Sequence, residues 1–224
     1  MEANKKQLMW EIIHVFENDN QSPNRDYSTI YIYADGPREV RQLTLSAGIT
    51  EYGNLQKLIQ VYINDGGKFA NEFSTYVGKI GKVSLVDNRE FRVLLVRASK
   101  EDAIFRAAED KIFEDKYYAP AFKFFEAGGF TRPLSLMVIF DSYIHSGSIP
   151  DFLRSRFPAK LPSKGGSEID WISQYLNIRR AWLAGHSRKI LRGTVYRPDF
   201  FISLLNKKNY DLNLPLAPNG VKLS

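Results

Sequence analysis

Two carboxylates stand out by type and placement. Glu17 closes KKQLMWEIIHVFE, a run with helical spacing. Met9, Ile13 and Glu17 lie at i, i+4 and i+8, so the glutamate shares a face with two apolar residues. Asp35 closes STIYIYAD, where Ile30 and Ile32 alternate with Tyr31 and Tyr33 as in a short strand, and Gly36 follows it. An irregular segment, NDNQSPNRD, lies between them. Two carboxylates in unlike settings suit glycoside hydrolysis. One must stay protonated to give a proton to the leaving oxygen, and the other must stay ionised to activate water or attack the sugar. Burial in an apolar setting favours the protonated form of a carboxyl, which casts Glu17 as the acid. Asp35, beside a glycine turn, is the base. Spacing alone favours a plainer reading, an amphipathic helix ending in glutamate and a turn aspartate.

The elements that must position this pair are mostly helical. A first helix is expected near 5–18, then the strand ending at Asp35, then LTLSAGITEYG as a second strand or a turn. NLQKLIQVYINDGG returns to helical spacing and stops at Gly-Gly. More helix follows over 70–128, with Ser99 and Asp102 as a start signal. PLSLMVIFDSYIHSG is a strongly apolar, central helix. FPAKLPSKGGSE (157–168) is a loop, helices follow near 168–183 and 198–206, and the tail is extended.

With 224 residues, 44% of them hydrophobic, the chain can bury a substantial core. No window is long and apolar enough to span a membrane. The absence of cysteine excludes disulfides, a thiol nucleophile and Cys-based zinc sites. The 3 histidines, His14, His145 and His186, show no His-x-x-x-His pair, which argues against a metal centre; no cofactor is expected. The formal charge of +6 favours an anionic partner. Glu11 and His14 interrupt any apolar signal region, so no signal peptide is read.

From the first helix onward the chain resembles the chitosanases of glycoside hydrolase family forty-six. Glu17-Asn18 is similar to that family's catalytic Glu-Asn, and Asp35-Gly36 to its catalytic Asp-Gly. Thr44-Leu45-Ser46-Ala47-Gly48 loosely matches the Thr/Gly-rich segment that places the attacking water, leaving Thr44 and Ser46 as alternatives. Phe105-Arg106-x-Ala108-x-Asp110, Tyr118-x-Pro120-Ala121, Phe140-Asp141 through His145 and Gly147, Gly165-Gly166-x-Glu168, Leu176-x-x-Arg179 and Asn209-x-Asp211-Leu212-x-x-Pro215-Leu216 follow in the family's order. The resemblance implies a lysozyme-like, mainly α (α+β) fold over 1–224. It would be a single catalytic domain of two lobes, with a small N-terminal sheet and a substrate cleft between the lobes. It also implies an inverting mechanism with the carboxyls roughly 6.5–9.5 Å apart, and a buried network of Asp141, Arg179 and Arg197 supporting the acid.

Several residues depart from the family. Asn54 stands where chitosan-active members carry a carboxylate. Between Asp170 and Asp199 there is no acid, while Arg179, Arg180, Arg188, Lys189, Arg192 and Arg197 occur. A cleft edge with that charge would repel a polycation and attract an anionic glycan. The loop DGPREVRQLT is longer than the family's and adds Arg38 and Arg41. On charge, peptidoglycan is therefore expected as the polysaccharide ahead of chitosan. Tyr31, Tyr33 and Tyr52 are expected to touch sugar, while Trp10, Trp171 and Trp182 are expected in the core. Glu51 is a rival carboxylate for a catalytic or binding role, and His145 reads as a satisfied core or helix-end histidine. The competing class is a basic, non-enzymatic module binding glycan or nucleic acid, which the ordered carboxylates argue against. A lytic enzyme of this kind is expected to act outside the cytoplasm, secreted, periplasmic or delivered.

Overall fold

The computed structural model describes residues 3–17, 22–46 and 48–224, so Asn18 and Ala47 lie outside the described residues. In chain order the elements begin with helix α1 (Ala3–Glu17), strands β1 (Ile30–Tyr33), β2 (Gln42–Leu45) and β3 (Ile49–Thr50). Helices α2 (Leu55–Asn64), α3 (Ala70–Val77), α4 (Arg89–Glu101) and α5 (Ala103–Phe113) follow. A π-helical turn, Glu114–Tyr118, leads into α6 (Ala119–Ala127), α7 (Pro133–Ser146) and α8 (Asp151–Arg154). The chain ends with α9 (Glu168–Ala184), α10 (Lys189–Arg192), α11 (Tyr196–Asn206) and an extended tail closed by a Leu216–Leu223 bridge. The described residues are thus mainly helical with one small antiparallel sheet. No described helix is long and apolar enough to cross a membrane.

The chain divides into two compact units. One comprises Met1–Arg25 and Lys116–Ser224, the other Asp26–Asp115. In the first, α7 is the centre: every residue from Leu134 to Ser142 is buried, as its unbroken apolar run requires, and it packs on α1, α6, α9 and α11. Trp171 of α9 is fully buried against Phe130, Phe157 and Tyr175. Gly147 ends α7 in the left-handed region at φ 76°, where a side chain would be strained.

In the second unit, Tyr62, Phe73, Phe91 and Phe105 form the aromatic core. The Tyr62 hydroxyl donates to Asp102 Oδ2 at 2.6 Å and accepts from Phe69 N at 2.9 Å. Asp102 caps α5 by accepting from Ile104 N at 2.9 Å. Ser99 is not part of that start: it lies inside α4, buried, with its hydroxyl donating to Leu95 O at 2.9 Å. The break between the two helices therefore falls three residues later than one reading of the sequence allowed, at the residue whose side chain satisfies a free backbone donor. The sheet runs β1-β2-β3, with Tyr33 opposite Gln42 and Ile30 opposite Leu45.

Candidate functional site

Glu17 is the last residue of α1, on the face whose Met9 and Ile13 are buried. Its own setting is ionic, which corrects the expectation of an apolar one. Arg197 Nη1 donates to Glu17 Oε1 at 2.5 Å, and the Glu17 side chain keeps 31% of its exposure. Arg197 comes from the first turn of α11 and lies over the Phe16 ring, 5.0 Å from its centroid. Its Nε and Nη2 donate to Asp141 Oδ1 at 2.9 and 2.7 Å, while Arg179 Nη1 donates to Oδ2 at 2.6 Å. Arg179 and Asp141 are fully buried. Burial opposes ionisation of Asp141, but the charges of Arg197 and Arg179 outweigh it and hold its carboxyl below the usual range. Burial likewise opposes the charge on Arg197, and Asp141 and Glu17 together reverse that, raising it. With Glu17 ionised the four groups sum to zero. Tyr196 donates its hydroxyl to Phe16 O at 3.0 Å and so ties the end of α1 to α11.

His145 sits one turn after Asp141 on α7. Burial, then the charges of Arg197 and Arg179, push its imidazole down to about 4. Burial also lowers His14 to about 4, against the opposing effect of its contact with Pro23 O.

In the other unit, Asp35 follows β1 and is exposed. Gly36 makes the turn possible: its N–H donates to Val40 O at 3.0 Å, and a Cβ there would lie 2.8 Å from that oxygen. The turn brings Asp35 to Gln42, whose Nε2 donates to Asp35 Oδ1 at 2.9 Å. Gln42 Oε1 accepts from Tyr52 N at 3.4 Å. Gln42 is 6% exposed. Gln42 opens β2, although DGPREVRQLT reads as loop in the sequence. The usable signal was the alternation in QLTL, which places Leu43 and Leu45 on one face and Gln42 and Thr44 on the other.

The remaining sequence candidates divide sharply. Thr44 shares Gln42's face, roughly 7 Å along the strand, and its buried hydroxyl has no hydrogen-bond partner among the described residues. Ser46 is at the far end of β2, roughly 13 Å along the strand from Gln42. Its hydroxyl donates to buried Glu109 Oε2 at 3.1 Å, and its φ is 46°. The structure does not bring Ser46 to Asp35. Glu51 is not a binding carboxylate. It is 1% exposed, Oε2 accepts from Leu43 N at 3.2 Å and Oε1 from Leu85 N at 2.5 Å, so it pins β2 to the 80–88 loop. Asn54 turns its Oδ1 back to Thr50 N at 3.1 Å. Tyr33 is 51% exposed and stacks on Tyr31; Tyr52 is partly exposed, its ring beside Gly36. Arg38 is exposed on the turn at φ 58°, and Arg41 pairs with Asp87 at 3.3 Å.

The basic run does not form the free positive edge that its composition implied. Arg179 and Arg197 are internal partners of Asp141. Arg180 Nε pairs with Asp199. Arg192 Nη1 donates to the carbonyls of His186 and Ser187, each at 2.7 Å. Arg188 and Lys189 stay exposed. Three of the six cations, Arg179, Arg180 and Arg197, are thus paired with carboxylates, and the positive charge expected to favour peptidoglycan is reduced accordingly. No group of three or more potential metal ligands occurs among the described residues.

Comparison with known proteins adds an independent line. A sequence profile described as glycosyl hydrolase family 46 matches residues 11–216. A chitosanase of Bacillus subtilis (strain 168) is 32% identical over 127 residues, 51% of this chain, and the chain spans only 46% of that relative's length. The crystal structure of native chitosanase from Bacillus subtilis MY002 superposes with a TM-score of 0.76 at 22% identity, covering 96% of this chain and 94% of that one. The Gynuella sunshinyii chitosanase in complex with chitotetraose gives the same TM-score of 0.76 and 22% identity, again over 96% and 94% of the chains. The two solved structures share the fold.

Proposed function

The chain belongs to glycosyl hydrolase family 46, and from that premise we propose that it hydrolyses internal β-1,4 linkages of chitosan, with Glu17 as general acid and Asp35 as general base. The observation that carries this reading is the family match across 11–216, a span that contains both carboxylates together with Asp141, Arg179 and Arg197. The anchoring of each carboxylate supports it. As the Glu17 proton passes to the leaving glycosidic oxygen, the charge that develops on the carboxylate meets the guanidinium of Arg197, already held by Asp141. Asp35 keeps Oδ2 for a water proton while Gln42 holds Oδ1. The water oxygen attacks the anomeric carbon from the face opposite the leaving group, so the configuration inverts. Asp35 ends protonated and Glu17 ionised. Exposed as it is, Asp35 returns its proton to solvent, and Glu17, itself partly exposed, takes one up, which restores both groups.

Chitosan is preferred to peptidoglycan for two reasons. The similar proteins are described as chitosanases, one of them bound to chitotetraose. Arg179 and Arg197 of the basic run are taken up by buried Asp141, and Arg180 pairs with Asp199 at the surface. With chitosan as the substrate, we place the action outside the cytoplasm.

The test is paired digestion of chitosans of known acetylation and of purified peptidoglycan, with products read by mass spectrometry and anomers by NMR. Glucosamine oligomers of inverted configuration are expected from chitosan. Glu17→Gln and Asp35→Asn should each lower the rate by about 10²–10⁴-fold while the variant still folds; Glu17→Gln also removes a countercharge from Arg197 and should lower the melting temperature more than Asp35→Asn does. Full activity in either variant, or soluble fragments from peptidoglycan alone, would sink the reading.

A further inference from the structure

We propose that Gln42 is the positioning residue of the general base, a neutral clamp that holds one oxygen of Asp35 and leaves the other to take the proton from water. The inference rests on the assignment of Asp35 as the base.

The carboxamide has one possible orientation. A glutamine amide offers a donor at one end and an acceptor at the other. Tyr52 N is a donor and can only face Oε1; the Asp35 carboxylate is an acceptor and can only face Nε2. Both partners are present, so a flipped amide would lose both bonds and set oxygen against carboxylate. The backbone beneath the amide is fixed as well. Leu43, the next residue, donates its N–H to Glu51 Oε2, its carbonyl accepts from Glu51 N at 2.8 Å, and the same carboxylate accepts from Leu85 N. On the other side, Gln42 pairs with Tyr33 across the sheet. A side chain this buried has few other rotamers, and its hydrogen bonds act in a drier medium than water.

The result for Asp35 is asymmetric. Oδ1 is occupied; Oδ2 has no partner among the described residues. A base needs a lone pair aimed at the water and a carboxylate that cannot swing away, and one fixed N–H supplies the second without blocking the first. The neutrality of the donor also matters. An Arg or Lys in this place would add a positive charge beside a substrate whose amino groups are cationic.

The charged groups on neighbouring segments leave this pair alone. Arg38 and Glu39 sit on the exposed turn, Arg41 is held by Asp87, and Glu51 uses its oxygens on backbone donors. None of them hydrogen-bonds to Asp35 or to the Gln42 carboxamide among the described residues.

Gln42→Glu separates this role from simple support of the strand. The variant keeps the side-chain length and an acceptor for Tyr52 N, but it replaces the donor with a second carboxylate facing Asp35. At neutral pH the two repel, and kcat should fall by about 10²-fold with KM little changed. As the pH is lowered the pair takes up one shared proton, as neighbouring carboxylates do. A donor is restored, and kcat should recover relative to wild type. Gln42→Met keeps the volume, loses both bonds, and should lose kcat with no recovery in acid. Wild-type kcat in Gln42→Glu, or a loss that does not recover in acid, would overturn the proposal. If wild type cuts no glycan, the assignment of function fails instead, and the clamp is then judged by NMR. The Gln42 side-chain amide protons should move when Asp35→Asn is introduced; unmoved signals would mean that the clamp does not exist.

Discussion

Glu17 and Asp35 are held by opposite means. Glu17 is gripped by charge: Arg197 reaches it from a buried cluster in which a single Asp141 is shared by two guanidiniums. Asp35 is gripped by a neutral amide on an exposed turn. The first arrangement suits a group that must release a proton, because a preset positive charge favours the product of that step. The second suits a group that must receive one, because it fixes direction and adds no charge. The two also differ in what their loss would cost. A buried ion cluster that loses one member strands the others in a medium that solvates them badly, whereas an exposed carboxylate that loses a neutral partner finds water.

Asp141→Asn should therefore be the most damaging single change. It leaves Arg179 and Arg197 buried without their countercharge, and a loss of about 3–5 kcal/mol is expected on urea unfolding. A loss below about 1 kcal/mol would mean that the cluster is not what anchors α11 and Glu17, and the contrast between the two units would collapse. Glu51→Gln is the matched change in the other unit. Glutamine can still accept from one of the two backbone N–H groups, Leu43 or Leu85, but it presents its own N–H to the other. The expected cost is about 1.5–3 kcal/mol, and kcat should fall as well because Leu43 adjoins Gln42. A cost equal to that of Asp141→Asn would erase the distinction between a charged core and a charged staple.

The same contrast governs what could be read from sequence. The charged anchor was legible because Glu17, Asp141, Arg179 and Arg197 are conspicuous types at recognisable places in an ordered series of motifs. The neutral one was not. Gln42 is an ordinary polar residue at the start of a four-residue strand, and its importance comes from a turn whose geometry depends on Gly36 and Val40. Charge counting failed for a related reason: composition sums charge without burial, so Arg179 and Arg197 entered the ledger of the surface while lying in the core. Glu51 misled in the same way. A glutamate just after the Thr/Gly-rich segment reads as a carboxylate free to bind, yet two backbone donors, at Leu43 and Leu85, hold it buried. Helices announced themselves through their apolar period, and α7 through its length. The boundary at Asp102 became visible only when its side chain was seen accepting from Ile104 N.

The smallest effect expected of any single group concerns acid. All 3 histidines and all 3 tryptophans belong to the unit that carries Glu17; the unit of Asp35 has none of either. His14 and His145 are both lowered to about 4, chiefly by burial. The unfolded chain therefore binds protons near the ordinary value of about 6.5, while the folded chain resists until about 4. Their contribution to stability is complete above 6.5, is lost progressively as the pH falls toward 4, and falls no further below that. Each group should cost on the order of 1–2 kcal/mol by pH 5, since both rings retain some contact with solvent. Tryptophan emission follows the unit in question, because Trp10, Trp171 and Trp182 all lie in it. The urea midpoint read this way should drop between pH 7 and pH 5, and the drop should shrink in His145→Gln and again when His14→Gln is added. A midpoint that is flat across this range, or a drop that the double variant leaves intact, would remove the histidines from the account. The acid sensitivity of the unit that holds Glu17 would then have to come from the carboxylates themselves, with Asp141, held below its usual range by two arginines, losing its contribution only at lower pH.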